Sequence, residues 1–435
     1  MFRVFFQENP VTEPAASARP GLLNATRAVL LLGMALTLAA CGGNRQAAPP
    51  PQVTPPPKVE VTPPPIAEKP AYTRDPSRFY NPAYMAGEEP IRVALLLPFN
   101  SSRQNVRTLS NALYNAAQLA LFEFDRDNIV LMPKATGGSA NGARRAAKEA
   151  LDAGADLILG PLFAEEVSAV GQLAADVNVP VVAFSSDSSV GGGNVHLLSF
   201  PLDEDVDRIV DYATLQGITR YAALYPQGTY GNRVRAAFQQ AVSARAGEVV
   251  ASASYPSNAQ GMYEPAQRVA NAYGGGNYHA VFLPEGGSKL KSLAPLLPYY
   301  DVDPRDVKFL GTGLWDDPSL TREPPLNGAW YPAPPPEGHD QFLIRYRRAY
   351  GSTPPRIASL GYDAVSLAIA LSTLPRGVRF TPEALTNPDG FAGVDGIFRF
   401  MPDGSTERGL AVLEIRPGGA VVIDPAPTSF RPQVF

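Results

Sequence analysis

The stretch Ile91-Arg92-Val93-Ala94-Leu95-Leu96-Leu97-Pro98-Phe99-Asn100 decides how the chain is read. Val93 to Leu97 is a continuous apolar run bounded by Pro90 and Pro98. It is too short for a membrane span and does not alternate. A run of that kind fits a strand covered by helices on both faces, as in a parallel sheet. Working outward, the residues before it read as targeting segment and linker, and the residues after it repeat strand, loop and helix. That rhythm predicts an α/β fold of doubly wound, mainly parallel sheets, with ligand-facing loops at the carboxyl ends of the strands.

Downstream, residues 104–123 show helical spacing through Leu109, Leu113, Ala116, Ala117, Ala120 and Leu121. Strands are predicted at 129–132, 156–160, 180–184 and 195–200, with helices at 139–153 and 164–176 between them. A second round opens at Asp203, read as a helix cap with Asp205 and Asp207 complementing the helix dipole. Strands at 221–225, 249–255, 280–283 and 308–310 follow, with helices at 232–244, 263–273 and around 289–297. Residues 340–350 and 357–374 return to helix. Residues 391–400 and 409–415 read as paired strands joined by Pro402-Asp403-Gly404, a turn signal.

Upstream, Arg19 and Arg27 precede the apolar segment Ala28–Ala40, which has signal-peptide length. Cys41 follows directly and is the single cysteine of 435 residues. Leu38-Ala39-Ala40-Cys41 resembles the lipobox of bacterial lipoproteins, which implies a signal peptide at 1–40 and diacylation of Cys41. The Gly42 that follows implies, by the sorting pattern of such lipoproteins, anchoring at the outer membrane. Residues 41–90 carry a tract of proline triplets, which favours extended polyproline II. As a stalk it would span on the order of 100 Å.

Composition narrows the function. Lys plus Arg is 37 and Asp plus Glu is 41, giving a net charge of −4, so no basic excess marks a nucleic-acid binder. One cysteine excludes an intramolecular disulfide and a cysteine zinc cage. His196, His279 and His339 lie too far apart for a ligand motif. Ser288-Lys289-Leu290-Lys291 matches S-x-x-K, but no K-T-G follows. Walker A, G-x-S-x-G and a dinucleotide G-x-G-x-x-G after the first strand are absent. The glycine triplets at 191–193 and 274–276 read as flexible loops. Glu165 and Glu166, adjacent on a helix, point in different directions and do not form a catalytic pair. Nothing in the sequence requires catalysis, a cofactor or a metal.

The order IRVALLLPFNSS, AGADLILGPLFAEEVSAV, NVPVVAFSSDSSV, ALYPQGTYGNRVRAAF, FLGTGLWDDPSL and FAGVDGIFRFMPDG resembles the type I periplasmic binding-protein fold. The resemblance implies two lobes, each a doubly wound mainly parallel sheet, with a cleft between them. Lobe one is expected at about 91–201 and 332–390, and lobe two at about 202–331 with part of the tail. Two branches of that superfamily are similar. Penicillin-binding-protein activator lipoproteins share the lipobox, the stalk and the VALLLPFN opening, and imply a non-catalytic activator contacting a peptidoglycan synthase. Leucine-binding-like receptors imply a small-molecule ligand and an ABC permease as partner. The activator reading is taken first and the importer receptor as its alternative.

By the same resemblance, Ser185 and Ser186 match the fourth-strand loop that holds a ligand carboxylate, and Tyr230 before Gly231 matches the closing aromatic. Phe163 is expected at the cleft as well. Trp315 and Trp330 are read either as cleft residues or as core packing, and Trp315 is taken as a cleft candidate. Glu165 and Glu166 stand where amino-acid binders place small hydroxyls, which predicts repulsion of a substrate carboxylate. The acidic ammonium partner is missing from the loop Gly311–Trp315, although Asp316 and Asp317 are near.

Overall fold

The computed structural model describes residues 72–87, 89–124, 128–256, 258 and 260–431. Cys41, the segment 1–40 and the proline triplets lie outside the described residues. Among the described residues, no helix is long and apolar enough to cross a membrane.

The decisive run is β1 (Ile91–Leu97), all seven residues buried. Its side chains divide by strand alternation between two apolar layers. Ile91, Val93, Leu95 and Leu97 face α1 (Gln104–Phe124). Ala94 and Leu96 face α2 (Ala140–Asp152) and α3 (Ala164–Ala175) on the other side. Both faces being buried removes any need for polar alternation. Each such Leu or Val removed from water contributes about 1.5–3 kcal/mol. The strand pairs in parallel with β2 (Ile129–Ala135) and β3 (Leu157–Leu159). With β4 (Val181–Ala183) and β5 (Val195–Leu197) the first sheet has the order β2-β1-β3-β4-β5. Reversal of strand order at β1/β3 opens a crevice at their carboxyl ends.

The second lobe repeats the plan. After α4 (Leu202–Leu215) come β6 (Arg220–Pro226), α5 (Thr229–Ala244), β7 (Glu248–Tyr255), α6 (Tyr263–Asn271) and β8 (Ala280–Phe282). Helices α7 (Gly287–Leu293) and α8 (Leu296–Tyr299) divide at Pro295, where one helix around 289–297 was expected. They lead to β9 (Lys308–Leu310) and β10 (Trp330–Ala333). The chain then returns to lobe one for α9 (Pro336–Tyr350), α10 (Ser359–Ser372) and α11 (Pro382–Leu385). Residues Leu360, Ala364, Leu367 and Leu371 of α10 join the β1–α1 core.

The tail departs from expectation. β11 (Phe391–Gly393), β12 (Gly396–Phe400) and β13 (Thr406–Arg408) form a small antiparallel sheet. Its turn lies at Pro402-Asp403-Gly404 as read, but the return strand is β13. That sheet sits on lobe one, where Gly404 O accepts from Leu197 N at 2.8 Å. β14 (Ala411–Arg416) instead crosses to lobe two and pairs antiparallel with β10 and β15 (Gly419–Asp424). So 391–400 and 409–415 are not partners. β10, too short and Pro-interrupted for a strand pattern, gives β14 its edge. The chain passes between lobes three times, after β5, β10 and β13.

Two further corrections are local. Helix α4 starts at Leu202 behind Pro201, so Asp203 lies inside the first turn and is not its cap. Residues 72–87 and 89–90 are not free stalk. Tyr80 N donates to Ala153 O at 2.8 Å, Met85 is buried in the lobe-one core, and the Phe79 ring fills the space above Gly154. Their aromatic and apolar side chains give this segment a surface to bury, which proline triplets lack.

Candidate functional site

The carboxyl ends of the two sheets face each other, and the loops there build opposed walls. On lobe one the β1 loop, the β2 loop and the start of α3 converge. A side chain at Gly138 would meet both Ser101 and Phe163. The Arg103 guanidinium lies 5.2 Å over the half-buried Phe163 ring, a cation–π stack that positions a positive charge at the rim. Ser185 is buried and its Oγ accepts from Asp187 N at 3.2 Å, so that hydroxyl closes its own turn. Ser186, one residue on, is exposed.

Glu166 corrects the expected repulsion. It folds back under the start of α3, where Oε2 meets Phe163 N at 3.5 Å. Thr136 and the Gly138 backbone lie against it, and burial pushes its carboxyl up from the ordinary range. A carboxyl held that way serves the helix start. Glu165 remains exposed.

On lobe two, Tyr230 stands at 38% exposure at the start of α5. Burial pushes its phenol up to about 12, opposed by a hydrogen bond with Thr312 and supported by the nearby carboxylates Asp205 and Glu285. Gly231 after it must be glycine, because a Cβ there would overlap Pro226 O. Asp205 of α4 accepts from Gly313 N at 2.8 Å. Burial raises its pKa to about 7, against the opposing charge of Arg408. Glu285 accepts from Tyr255 Oη at 3.2 Å and from Gly286 N at 3.2 Å. Carboxylates therefore do stand beside the Gly311–Trp315 loop, but α4 and the β8 loop supply them.

Trp315 is a correction. At 1% exposure its indole lies in the lobe-two core, Nε1 donating to Glu285 O at 2.9 Å. Gly311 is the matching absence, since a Cβ there would sit about 2.1 Å from the indole. The ring holds the Glu285 loop in place and does not face the cleft. Trp330 meets Tyr212 edge to face at 5.0 Å, and the Lys308 ammonium lies 4.6 Å over its ring, both within lobe two.

Two contacts join the walls. Arg233 of α5 donates to Ser186 O at 3.4 Å. Arg356, ahead of α10, pairs with Asp316 of the β9 loop at 3.1 Å. Behind them lies a buried charged hinge. Arg356 also meets Asp395 at 2.9 Å, and Asp395 accepts from Ser359 and faces His339 at 3.2 Å. The Arg356 guanidinium and the hydrogen bond with His339 hold the Asp395 carboxyl down at about 2, whereas burial beside it raises Asp363 to about 7. Arg408 donates from Nε to Ser199 O at 2.6 Å and stacks 4.5 Å over Phe200. Its two terminal nitrogens are buried without hydrogen-bond partners. Among the described residues no group of His, Cys, Asp or Glu is placed to hold a metal.

Residues 90–420 match the periplasmic binding-protein family. The chain belongs to that family. Membership implies a periplasmic location, and members are solute-binding proteins. The fold is similar to a putative branched-chain amino acid ABC transporter protein from Rhodospirillum rubrum, at 20% identity and TM-score 0.69, covering 77% of this chain and 100% of that one. An ABC transporter substrate-binding protein from Sphaerobacter thermophilus matches at 18% identity and TM-score 0.64, over 78% and 98% of the two chains. A Desulfitobacterium hafniense ABC transporter substrate-binding protein in complex with Leu matches at 17% identity and TM-score 0.58, over 77% and 100%. No curated protein matches at the sequence level.

Sequence reading located Ser186 and Phe163 on loops after their strands and Tyr230 just after β6, where the structure has it in the first turn of α5, and it missed Arg103, Asp205 and Glu285. Asp205 was legible only as one of an acidic run, Asp203-Glu204-Asp205, and only the fold turns that member onto a loop 108 residues away.

Proposed function

We propose that this protein is the solute-binding receptor of an ABC importer, closing two lobes over a small solute that carries a positive group. The observation that carries the reading is the pair of opposed walls. Asp205 and Glu285 lie near Tyr230 on lobe two, Arg103 stacks on Phe163 on lobe one, and Arg233 of lobe two already reaches Ser186 O of lobe one. A cationic or zwitterionic end meets the carboxylates, and Arg103 offers the opposite charge. The fold likeness to transporter binding proteins supports the same reading. Calorimetry with amino acids, polyamines and neutral solutes tests it. We expect saturable binding by a member with an ammonium group, weakened about tenfold or more by Asp205→Asn or Glu285→Gln. Binding of none of them, or binding indifferent to both substitutions, overturns it.

The activator of a peptidoglycan synthase is a second reading, favoured by the lipobox-like Leu38–Cys41 and the proline tract. Outer-membrane anchoring through Cys41 belongs with it. Native pull-down from solubilised envelopes separates the two. Permease and ATPase subunits favour the receptor, and a penicillin-binding synthase favours the activator.

A further inference from the structure

A second cavity of about 660 Å³ lies at the opposite end of lobe one from the cleft. Its walls are residues that precede strands: Pro90 before β1, Asp156 before β3, Pro180 before β4 and Asn194 before β5. The cleft is built from residues that follow strands, so the two sites share no loop. The volume is in the range of sites for small organic molecules.

Its chemistry is lopsided. Three arginines, Arg74, Arg376 and Arg379, face two carboxylates, Glu89 and Asp156. Glu89 pairs with Arg376 at 2.8 Å, and Asp156 accepts from Arg92 N at 2.8 Å and offsets part of the charge of Arg74, which leaves Arg379, among the described residues, as the arginine without a carboxylate partner. Arg379 spends one nitrogen, Nε, on Leu374 O at 3.3 Å. Arg74 Nε is buried with no hydrogen-bond partner. His196, 3% exposed, also lines the cavity and has Nδ1 buried without a partner. Unmet buried donors and acceptors of this kind are costly, and few are left in a folded protein without a ligand, water or ion to meet them. Burial lowers the His196 pKa to about 4, so the ring is neutral at pH 7 and can offer one N–H to an acceptor. Val179, Pro180 and Phe380 supply apolar wall.

We infer that this cavity is a second binding site, for a small carboxylate on an apolar body, held by Arg379 and Arg74 with His196 at its floor. It is independent of the solute in the cleft. Because Glu89 and Pro90 form part of the rim and residues 72–87 dock on the same lobe, an occupant here also touches the segment that leads out of the domain.

Calorimetry on the folded chain tests the inference with butanoate, hexanoate and octanoate, and with hexanamide as the uncharged control. We expect saturable binding of hexanoate or octanoate and at least about tenfold weaker binding of hexanamide, the loss of one charge-assisted hydrogen bond. Arg379→Gln is expected to weaken the carboxylate about tenfold, and Arg379→Lys to restore part of it. His196→Phe, which keeps the packing on Phe400 at 5.2 Å, weakens it also. Tyr230→Phe in the cleft leaves it unchanged. Thermal melts of each variant confirm folding, and Arg74→Gln replaces any that fails. No carboxylate binding up to about 10 mM, equal binding of hexanamide, or loss on Tyr230→Phe overturns the second site.

Discussion

Asp205 is where a single residue ties electrostatics to function. Its carboxyl is held up to about 7 by burial, so the native chain keeps a proton there that the unfolded chain loses near pH 4. Between these values the folded state binds more protons, and stability falls as pH rises. Asp205→Asn removes that dependence. We expect the variant to gain on the wild type by about 1 kcal/mol as pH rises from about 4 to about 8, discounted for partial exposure. Urea midpoints at the two pH values measure it, and parallel curves would show that Asp205 titrates normally. The same proton must leave for the carboxylate to hold a cation, so affinity for a positively charged solute should rise with pH through about 7.

At the scale of elements, the segment 72–90 separates composition from packing. Proline-rich sequence led to a reading of stalk throughout, yet Tyr72 bonds Asp152, Arg92 donates to Tyr80 O at 2.6 Å, and Met85 enters the core. Starting the chain at Ile91 should therefore lower stability by about 3 kcal/mol or more, since Phe79 and Met85 vacate space that Gly154 and β2 leave for them. Removing residues 49–65, the proline triplets, should leave the melting temperature unchanged. Melting curves of the two truncations decide, and equal losses would return residues 72–90 to the stalk. The tail carries the same lesson: β14 left β12 because β10 offered an edge in lobe two.

For the whole molecule, closure depends on the few contacts that span the walls. Asp316 is the simplest to remove, because Arg356 keeps Asp395 when Asp316 is gone. A half-exposed ion pair contributes about 0.5–1 kcal/mol, which converts to about two- to fivefold in a lobe equilibrium. Asp316→Asn should enlarge the radius of gyration without ligand and weaken the cleft solute by that factor, while the melting temperature of each lobe stays close to that of the wild type. Small-angle scattering reads the first and calorimetry the second. An unchanged radius with unchanged affinity would mean that the bridge does not hold the lobes.

The sequence by itself determined the doubly wound lobes, their order, and the loops on which Phe163 and Ser186 stand. Local hydrophobic period and turn residues set these, and both act over a few residues. Tertiary structure alone decided what those loops present. Glu166 turned inward because the start of α3 needed an acceptor, and Trp315 sank into the core because Gly311 left room for its ring. Asp205 met Gly313 only because the packing of lobe two sets α4 beside the β9 loop, 108 residues further along the chain. Those are contacts between residues far apart in sequence, made by packing, and no local pattern encodes them.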